Sequence, residues 1–321
     1  TALAMQLARA GHAVSLWTRD AGHAAEMVAA RENTRYLPGF KLPPAIVPTA
    51  DMERALRSGH ELVVFAVPSH AVRETAARAE AFFSQDTVLV SAAKGIEEGS
   101  SLRMSEVIAS VLPRRQRLAV LSGPSFAKEV AAEMPTVVTA AAPDEAVSAF
   151  TQRAFASPMF RVYASEDVIG VEVGGTVKNV IAIAAGVSDG LGLGHNTRAA
   201  IITRGLAEVN RLATRLGADP RTVTGLAGMG DLVLTCTGEL SRNRSLGIRL
   251  GKGERLQDVL AGMTQVAEGV RNTLAVDALA HSLGVEMPIT AQMRYLLFED
   301  KSPHEAMVDL MTRQLKNEFR E

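Results

Sequence analysis

Apolar positions in the first half of the chain recur with two different periods. In TALAMQLARAGHAV, Leu3, Leu7 and Ala10 fall at helical spacing and Gly11 supplies a C-terminal stop, so a helix followed by a strand in AVSLW is expected. From residue 12 to about 165, the short runs AVSLW, ELVVFAVP, TVLVSAAK, RLAVLSG, TVVTAAA and FRVYAS alternate with stretches long enough for helices. Runs rich in valine and apolar on both faces suit a parallel sheet covered by helices on both sides, which predicts a doubly wound α/β domain. After Asp167 the strand runs cease. Long helical patterns occupy 167–187, 196–216 and further segments through 255–318, so the second half reads as mostly α. The expected domains are 1–166 and 167–321, and no repeat period or low-complexity segment suggests a solenoid or a tail.

Ligands of a doubly wound sheet bind beyond the carboxyl ends of its strands. Three loops there carry polar chemistry in succession: VPSH, AAKGIEEG with Lys94, and SGPSFAKE. Proline and glycine expose backbone N–H groups in these loops, and Lys94 brings a cation to the same edge. Each loop alone is an ordinary turn; three in a row at one sheet edge point to a ligand.

The 34 basic residues nearly balance 35 acidic ones, for a net charge of -1, so no basic excess argues for nucleic acid and any anion site must be local. The single cysteine, Cys236, cannot form an internal disulfide and is expected to be buried and inert in a reducing compartment, with a reactive thiol as the alternative. No signal peptide is visible, and no apolar run is expected to reach the roughly 18 residues that cross a bilayer. A soluble, cytoplasmic protein is the expectation. The seven histidines form no ligand pair such as HxxxH, so no metal is expected, and His195 after DGLGLG reads as a loop or cap residue.

Two stretches of the helical half carry chemistry. VGGTVKNVIAIAAGVSDG sets Lys178 inside an otherwise apolar helix, where it either snorkels to solvent or is desolvated into a useful acid or base. Its neighbours Asn179, Gly174, Gly175 and Ala182 favour close approach of another helix or a ligand. GLAGMGDLVLTCTGELSRNRSLG combines a glycine-rich turn, Asp231 and the run Ser241, Arg242, Asn243, Arg244 at or near a helix N-terminus. There free N–H groups and the helix dipole favour an anion that an arginine grips bidentately, and the modest charge suits a single phosphate. A solvated arginine pair beside an N-cap serine is the alternative.

The motifs AAKGIE, SGPSFAKE, GGTVKNVIAIAAGVSDGLGLG, GLAGMGDLVLTCTGELSRNR and QVAEGVRNT, in this order and nearly end to end, resemble the bacterial-type NAD(P)-dependent glycerol-3-phosphate dehydrogenases. The resemblance implies a Rossmann N-terminal domain, an all-α C-terminal domain, and interconversion of dihydroxyacetone phosphate and sn-glycerol 3-phosphate, supplying phospholipid synthesis. It implies Lys178 as the catalytic acid/base. By the same resemblance Lys94, Gly123, Ser125, Asp231, Ser241, Arg242 and Asn243 surround the substrate. Arg19, Tyr36, Lys94, Ala127, Arg242, Val266 and Glu268 lie along the dinucleotide. In LWTRD, Arg19 with Thr18 favours NADP(H) over NAD(H), and Asp20 beside them moderates the preference. The family's GxGxxG-type loop and the strand before it are expected to be missing, because the chain starts inside the helix that should follow them. The expected partners are a small-molecule phosphate and no nucleic acid, with a homodimer as the assembly to test. Two other functions compete: a related two-domain reductase of another small oxo acid, which should prefer a carboxylate grip, and a non-catalytic dinucleotide-binding module, which would have no use for Lys178.

Overall fold

The computed structural model describes residues 1–56, 59–112, 117–263, 267–315 and 317–318. The first half alternates strands β1 (Val14–Trp17), β2 (Ile46–Thr49), β3 (Leu62–Phe65), β4 (Val88–Ser91), β5 (Arg117–Ser122), β6 (Thr136–Ala141) and β7 (Phe160–Ser165) with helices. These are α1 (Ala2–Arg9), α2 (Ala21–Ala30), α3 (Met52–Leu56), α4 (Val72–Ala79), α5 (Met104–Val111), α6 (Ala127–Ala131) and α7 (Glu145–Phe155). Each of the six expected runs contains a strand. The unexpected one, β2, holds Pro48, which lacks an N–H; it is tolerated because, among the described residues, β2 pairs with β1 alone.

One sheet has the order β1-β2 and the other β3-β4-β5-β6-β7. Strands β3, β4 and β5 are parallel, with Phe65 opposite Ser91 and Ser91 opposite Val120, so their carboxyl ends share one edge. The wholly parallel sheet expected from the apolar runs is not found: β6 runs antiparallel to β5, and β7 runs parallel to β6. A parallel return needs a full crossover, whereas the short α6 in the β5–β6 connection lets the chain turn back beside β5.

Both faces of the larger sheet are covered, as the two-sided apolar runs require. Val88, Val90, Ala119, Leu121, Val138 and Ala140 pack with Met5, Leu7 and Phe155 on one side. On the other, Leu89 meets Val72 and Ala76 of α4 and Met104, Val107 and Ile108 of α5. Each fully buried valine or leucine contributes about 1.5–3 kcal/mol of burial.

The second half is helical: α8 (Val168–Gly190), α9 (Gly194–Arg215), α10 (Pro220–Val223), a π turn at Leu226–Gly230, α11 (Asp231–Thr237), α12 (Arg242–Gly251), α13 (Leu256–Ala261), α14 (Glu268–Leu283), α15 (Pro288–Phe298) and α16 (Pro303–Met311). Asp167 caps α8 by accepting from the Gly170 N–H at 2.8 Å. Apolar nearly all round, α8 is the hub, packed against α9, α11, α12 and α14. Contrary to the expectation that no run is long enough, α8 has the length and composition of a membrane span; its most apolar window is 89% buried inside the protein, the setting of a core helix.

Glycines let α8 and α12 touch backbone to backbone. A Cβ on Gly186 or Gly190 would collide with the carbonyls of Arg244 or Ile248, and one on Gly247 or Gly251 with those of Ile183 or Val187.

Candidate active site

Lys178 lies in the middle of α8, with its side chain 8% exposed. Its ammonium donates to the Asp231 carboxylate and, at 3.0 Å, to Thr235 Oγ1. Asp231 opens α11 directly after the π turn, and Thr235, one turn later on the same helix face, donates its hydroxyl to the Asp231 carbonyl at 2.6 Å. Lys94, in the loop after β4, reaches the other carboxylate oxygen of Asp231 at 2.6 Å and the Gly123 carbonyl at 3.3 Å. One buried carboxylate thus holds two ammonium groups from opposite halves of the chain, leaving a local excess of positive charge.

Glycines make this convergence possible. A Cβ on Gly175 would lie 2.6 Å from Ser122 Oγ, and one on Gly174 would lie 2.7 Å from the Ala227 carbonyl, so α8 presses directly against the end of β5 and the π turn. Burial pulls the Lys178 pKa down to about 8, with Asp231 opposing and the charge of Lys94 acting in the same direction as burial. Burial pushes the Asp231 carboxyl up, but Lys178 and Lys94 together hold it below the usual carboxylate range.

The SRNR run forms the start of α12. Ser241 is the N-cap, accepting from the Arg244 N–H at 3.2 Å. Arg242 is exposed at the first helical position, yet partial burial of its guanidinium lowers its pKa, with Glu268 opposing. Asn243 is buried: its Nδ2 donates to Asn179 Oδ1 at 2.9 Å, and its Oδ1 accepts from the Gly269 N–H at 3.0 Å. Arg244 turns away to Asp189, bonding it from Nε at 2.8 Å and Nη2 at 2.7 Å, while Arg198 binds the same carboxylate at 3.1 Å. The expected arginine pair therefore divides, Arg242 staying exposed and Arg244 joining Arg198 on Asp189.

At the sheet edge Gly123 has φ +140°, and a Cβ there would lie 3.0 Å from Val138 Cα, so only glycine fits. Its carbonyl accepts from Ser125 Oγ at 3.0 Å as well as from Lys94. Ala127 is exposed at the start of α6. Arg19 is exposed just beyond β1. Its neighbour Asp20 caps α2 through the His23 N–H at 3.0 Å and pairs with Arg35 at 3.3 Å, which brings the Tyr36 loop to the same corner. The Tyr36 ring is 46% exposed and meets His23 edge to face at 5.4 Å. Glu268, first residue of α14, accepts from the Ser69 N–H at 3.3 Å and Ser69 Oγ at 2.6 Å. Val266 lies outside the described residues. Cys236 is buried and its thiol pushed up to about 12 by burial, as an inert core residue should be. His195 sits in the first turn of α9 beside Arg198, at 2.7 Å.

Thr235 and Ser69 were not among the expected site residues. Thr235 has a local signal, its i+4 spacing from Asp231; Ser69 has only its place in the VPSH loop.

Comparison with known proteins gives concordant matches. The N-terminal model of NAD-dependent glycerol-3-phosphate dehydrogenase matches residues 1–148 and the C-terminal model matches residues 167–308. The chain is 52% identical over 321 residues to glycerol-3-phosphate dehydrogenase (NAD(P)+) of Syntrophotalea carbinolica, covering 99% of this chain and 96% of that protein. It is 53% identical over 320 residues to the Geobacter sulfurreducens protein of the same description, covering 99% and 95%. A crystal structure of glycerol-3-phosphate dehydrogenase from Coxiella burnetii superposes with a TM-score of 0.93 at 43% identity, over 97% of this chain and 95% of that one.

Proposed function

The chain belongs to the NAD-dependent glycerol-3-phosphate dehydrogenase family, and from that premise we propose that it interconverts dihydroxyacetone phosphate and sn-glycerol 3-phosphate with Lys178 as the acid/base. The observation that carries the proposal is the buried Lys178–Asp231–Lys94 cluster, in which one carboxylate holds two ammonium groups.

The donor set fits a nicotinamide dinucleotide: an exposed guanidinium beyond β1, an exposed tyrosine ring beside it, a small residue at the start of α6, and the buried Ser122 hydroxyl, which has no partner, at the end of β5. Arg19, Tyr36, Lys94, Ala127, Arg242 and Glu268 are the residues assigned to hold it, together with Val266. When bound, the dinucleotide supplies the hydride in reduction and takes it up in oxidation. Arg19 favours NADP(H), and the engagement of Asp20 by the His23 N–H and by Arg35 supports that preference, because it occupies the carboxylate that could otherwise serve a ribose hydroxyl.

In reduction the Lys178 ammonium stabilises the charge developing on the ketone oxygen and then transfers its proton to it; in oxidation neutral Lys178 takes the hydroxyl proton. Asp231 and Thr235 aim the Lys178 nitrogen, and Lys94 holds a neighbouring substrate oxygen. Arg242, Ser241 and Asn243 form the phosphate grip at the start of α12, where helix dipole and guanidinium act together. Gly123 and Ser125 line the opposite wall. We divide the chain into 1–166 and 167–321, and we assign the enzyme to glycerol phosphate supply for phospholipids in the cytoplasm, with a homodimer to be tested by light scattering. The direct test is an initial-rate assay with dihydroxyacetone phosphate and NADPH or NADH: consumption of reduced cofactor that depends on the ketone is expected, and its absence refutes the reading.

A further inference from the structure

We propose that Asn272, on the second turn of α14, is a positioning residue that holds Lys94 in place from behind. The inference rests on the reading of Lys94 as a group that acts on the substrate. Lys94 lies in an irregular loop, where no strand ladder fixes its backbone. Its carbonyl is instead taken by Asn272 Nδ2 at 3.1 Å, and the same nitrogen lies 3.4 Å from the Thr176 carbonyl, two residues before Lys178. A single amide therefore ties together the backbone segments that carry the two lysines, whose side chains meet again on Asp231.

Three further observations support the role. Asn272 is fully buried, and its Oδ1 has no hydrogen-bond partner. A buried acceptor left unpaired is costly, so an apolar side chain would be the cheaper filler unless the two N–H donors were needed. The loop also passes tightly: a Cβ on Gly95 would lie 2.5 Å from Ser69 Cβ and 3.1 Å from Asn272 Oδ1. Finally, Glu268, four residues earlier on α14, grips Ser69 in the loop after β3. Positions 268 and 272 share one helix face, so α14 braces both loops at once.

The test compares Asn272→Leu, Lys94→Met and the double variant. The leucine has similar size and no donors. Asn272→Leu is expected to lower kcat about ten- to a hundredfold, the scale of a small misplacement of a reacting group. The alkaline limb of the reduction profile should move to higher pH, because the Lys94 charge that helps to hold the Lys178 pKa down is no longer beside it. In the Lys94→Met background the same substitution should change neither quantity. An unchanged kcat and profile, or losses that add in the double variant, would overturn the proposal. If Asn272→Leu does not fold, judged by its urea transition, Asn272→Ser takes its place under the same criteria, since its hydroxyl is too short to reach the Lys94 carbonyl. Titration of the Lys178 ε-methylene by NMR in protein labelled with 13C-lysine, without substrate or cofactor, must show the same upward shift. That measurement reads the placement of Lys94 even if the protein reduces no dihydroxyacetone phosphate, so the two readings fail separately.

Discussion

In the proposed acid/base role, reduction requires Lys178 protonated and oxidation requires it neutral, so pH should drive the two directions oppositely. With burial pulling its pKa to about 8, about nine-tenths of the enzyme carries the Lys178 proton at pH 7 and about one-tenth at pH 9. Initial rates of ketone reduction, at saturating substrate and cofactor, are therefore expected to fall about tenfold between pH 7 and pH 9, while rates of alcohol oxidation rise about tenfold. The substrate phosphate, with a second ionisation near about 6, is a dianion across this interval and does not imitate the effect. Asp231→Asn makes the test sharper. It removes the attraction that raises the Lys178 pKa and keeps the burial and the Lys94 charge that lower it, so both limbs should move to lower pH. Because it leaves two ammonium groups without their shared counter-charge, it should also cost about 3–5 kcal/mol of stability, read as a lowered urea midpoint. Flat profiles between pH 7 and pH 9 in both directions, or limbs that move upward in Asp231→Asn, would refute the reasoning.

Four substitutions test the rest. Lys178→Ala should lower kcat about 10²- to 10⁴-fold while calorimetry finds cofactor binding largely retained; more than about a tenth of wild-type kcat would remove Lys178 from the acid/base role. Arg242→Ala should raise KM for dihydroxyacetone phosphate about ten- to a hundredfold, the worth of a charge-assisted hydrogen bond of about 1.5–3 kcal/mol; unchanged KM values for substrate and cofactor would exclude it from the grip. Arg19→Ala should weaken NADPH binding more than NADH binding, and equal losses by titration would defeat the assignment. Gly247→Ala should cost about 1–3 kcal/mol in urea unfolding, because its Cβ would strike the Ile183 carbonyl of α8; an unaltered midpoint would mean that the two helices part freely.

The strands were legible because Leu62–Phe65, Val88–Ser91 and Arg117–Ser122 are apolar on both faces, a pattern that burial on both sides imposes. Direction was not legible: alternation has no sense along the chain, so the reversal of β6 came only with the structure. Strand β2 was hidden by Pro48 and the exposed Val47. Lys178 announced itself as a lone cation in a long apolar helix. Its pairing with Asp231, and that of Asp231 with Lys94 at 137 positions' separation, has no local signature. Asn272 was invisible for the same reason, since its two partners belong to segments far from it in sequence.

Where α8 and α12 meet at Gly186, Gly190, Gly247 and Gly251, none of these four residues puts a side chain between the two backbones. The spacing of the two helices is thus gauged there by main chain against main chain, like the jaws of a fixed calliper. Substitutions elsewhere on either helix leave those jaws where they are, and resetting them requires bulk at one of the four glycines. The distance between these two helices is therefore written in glycines.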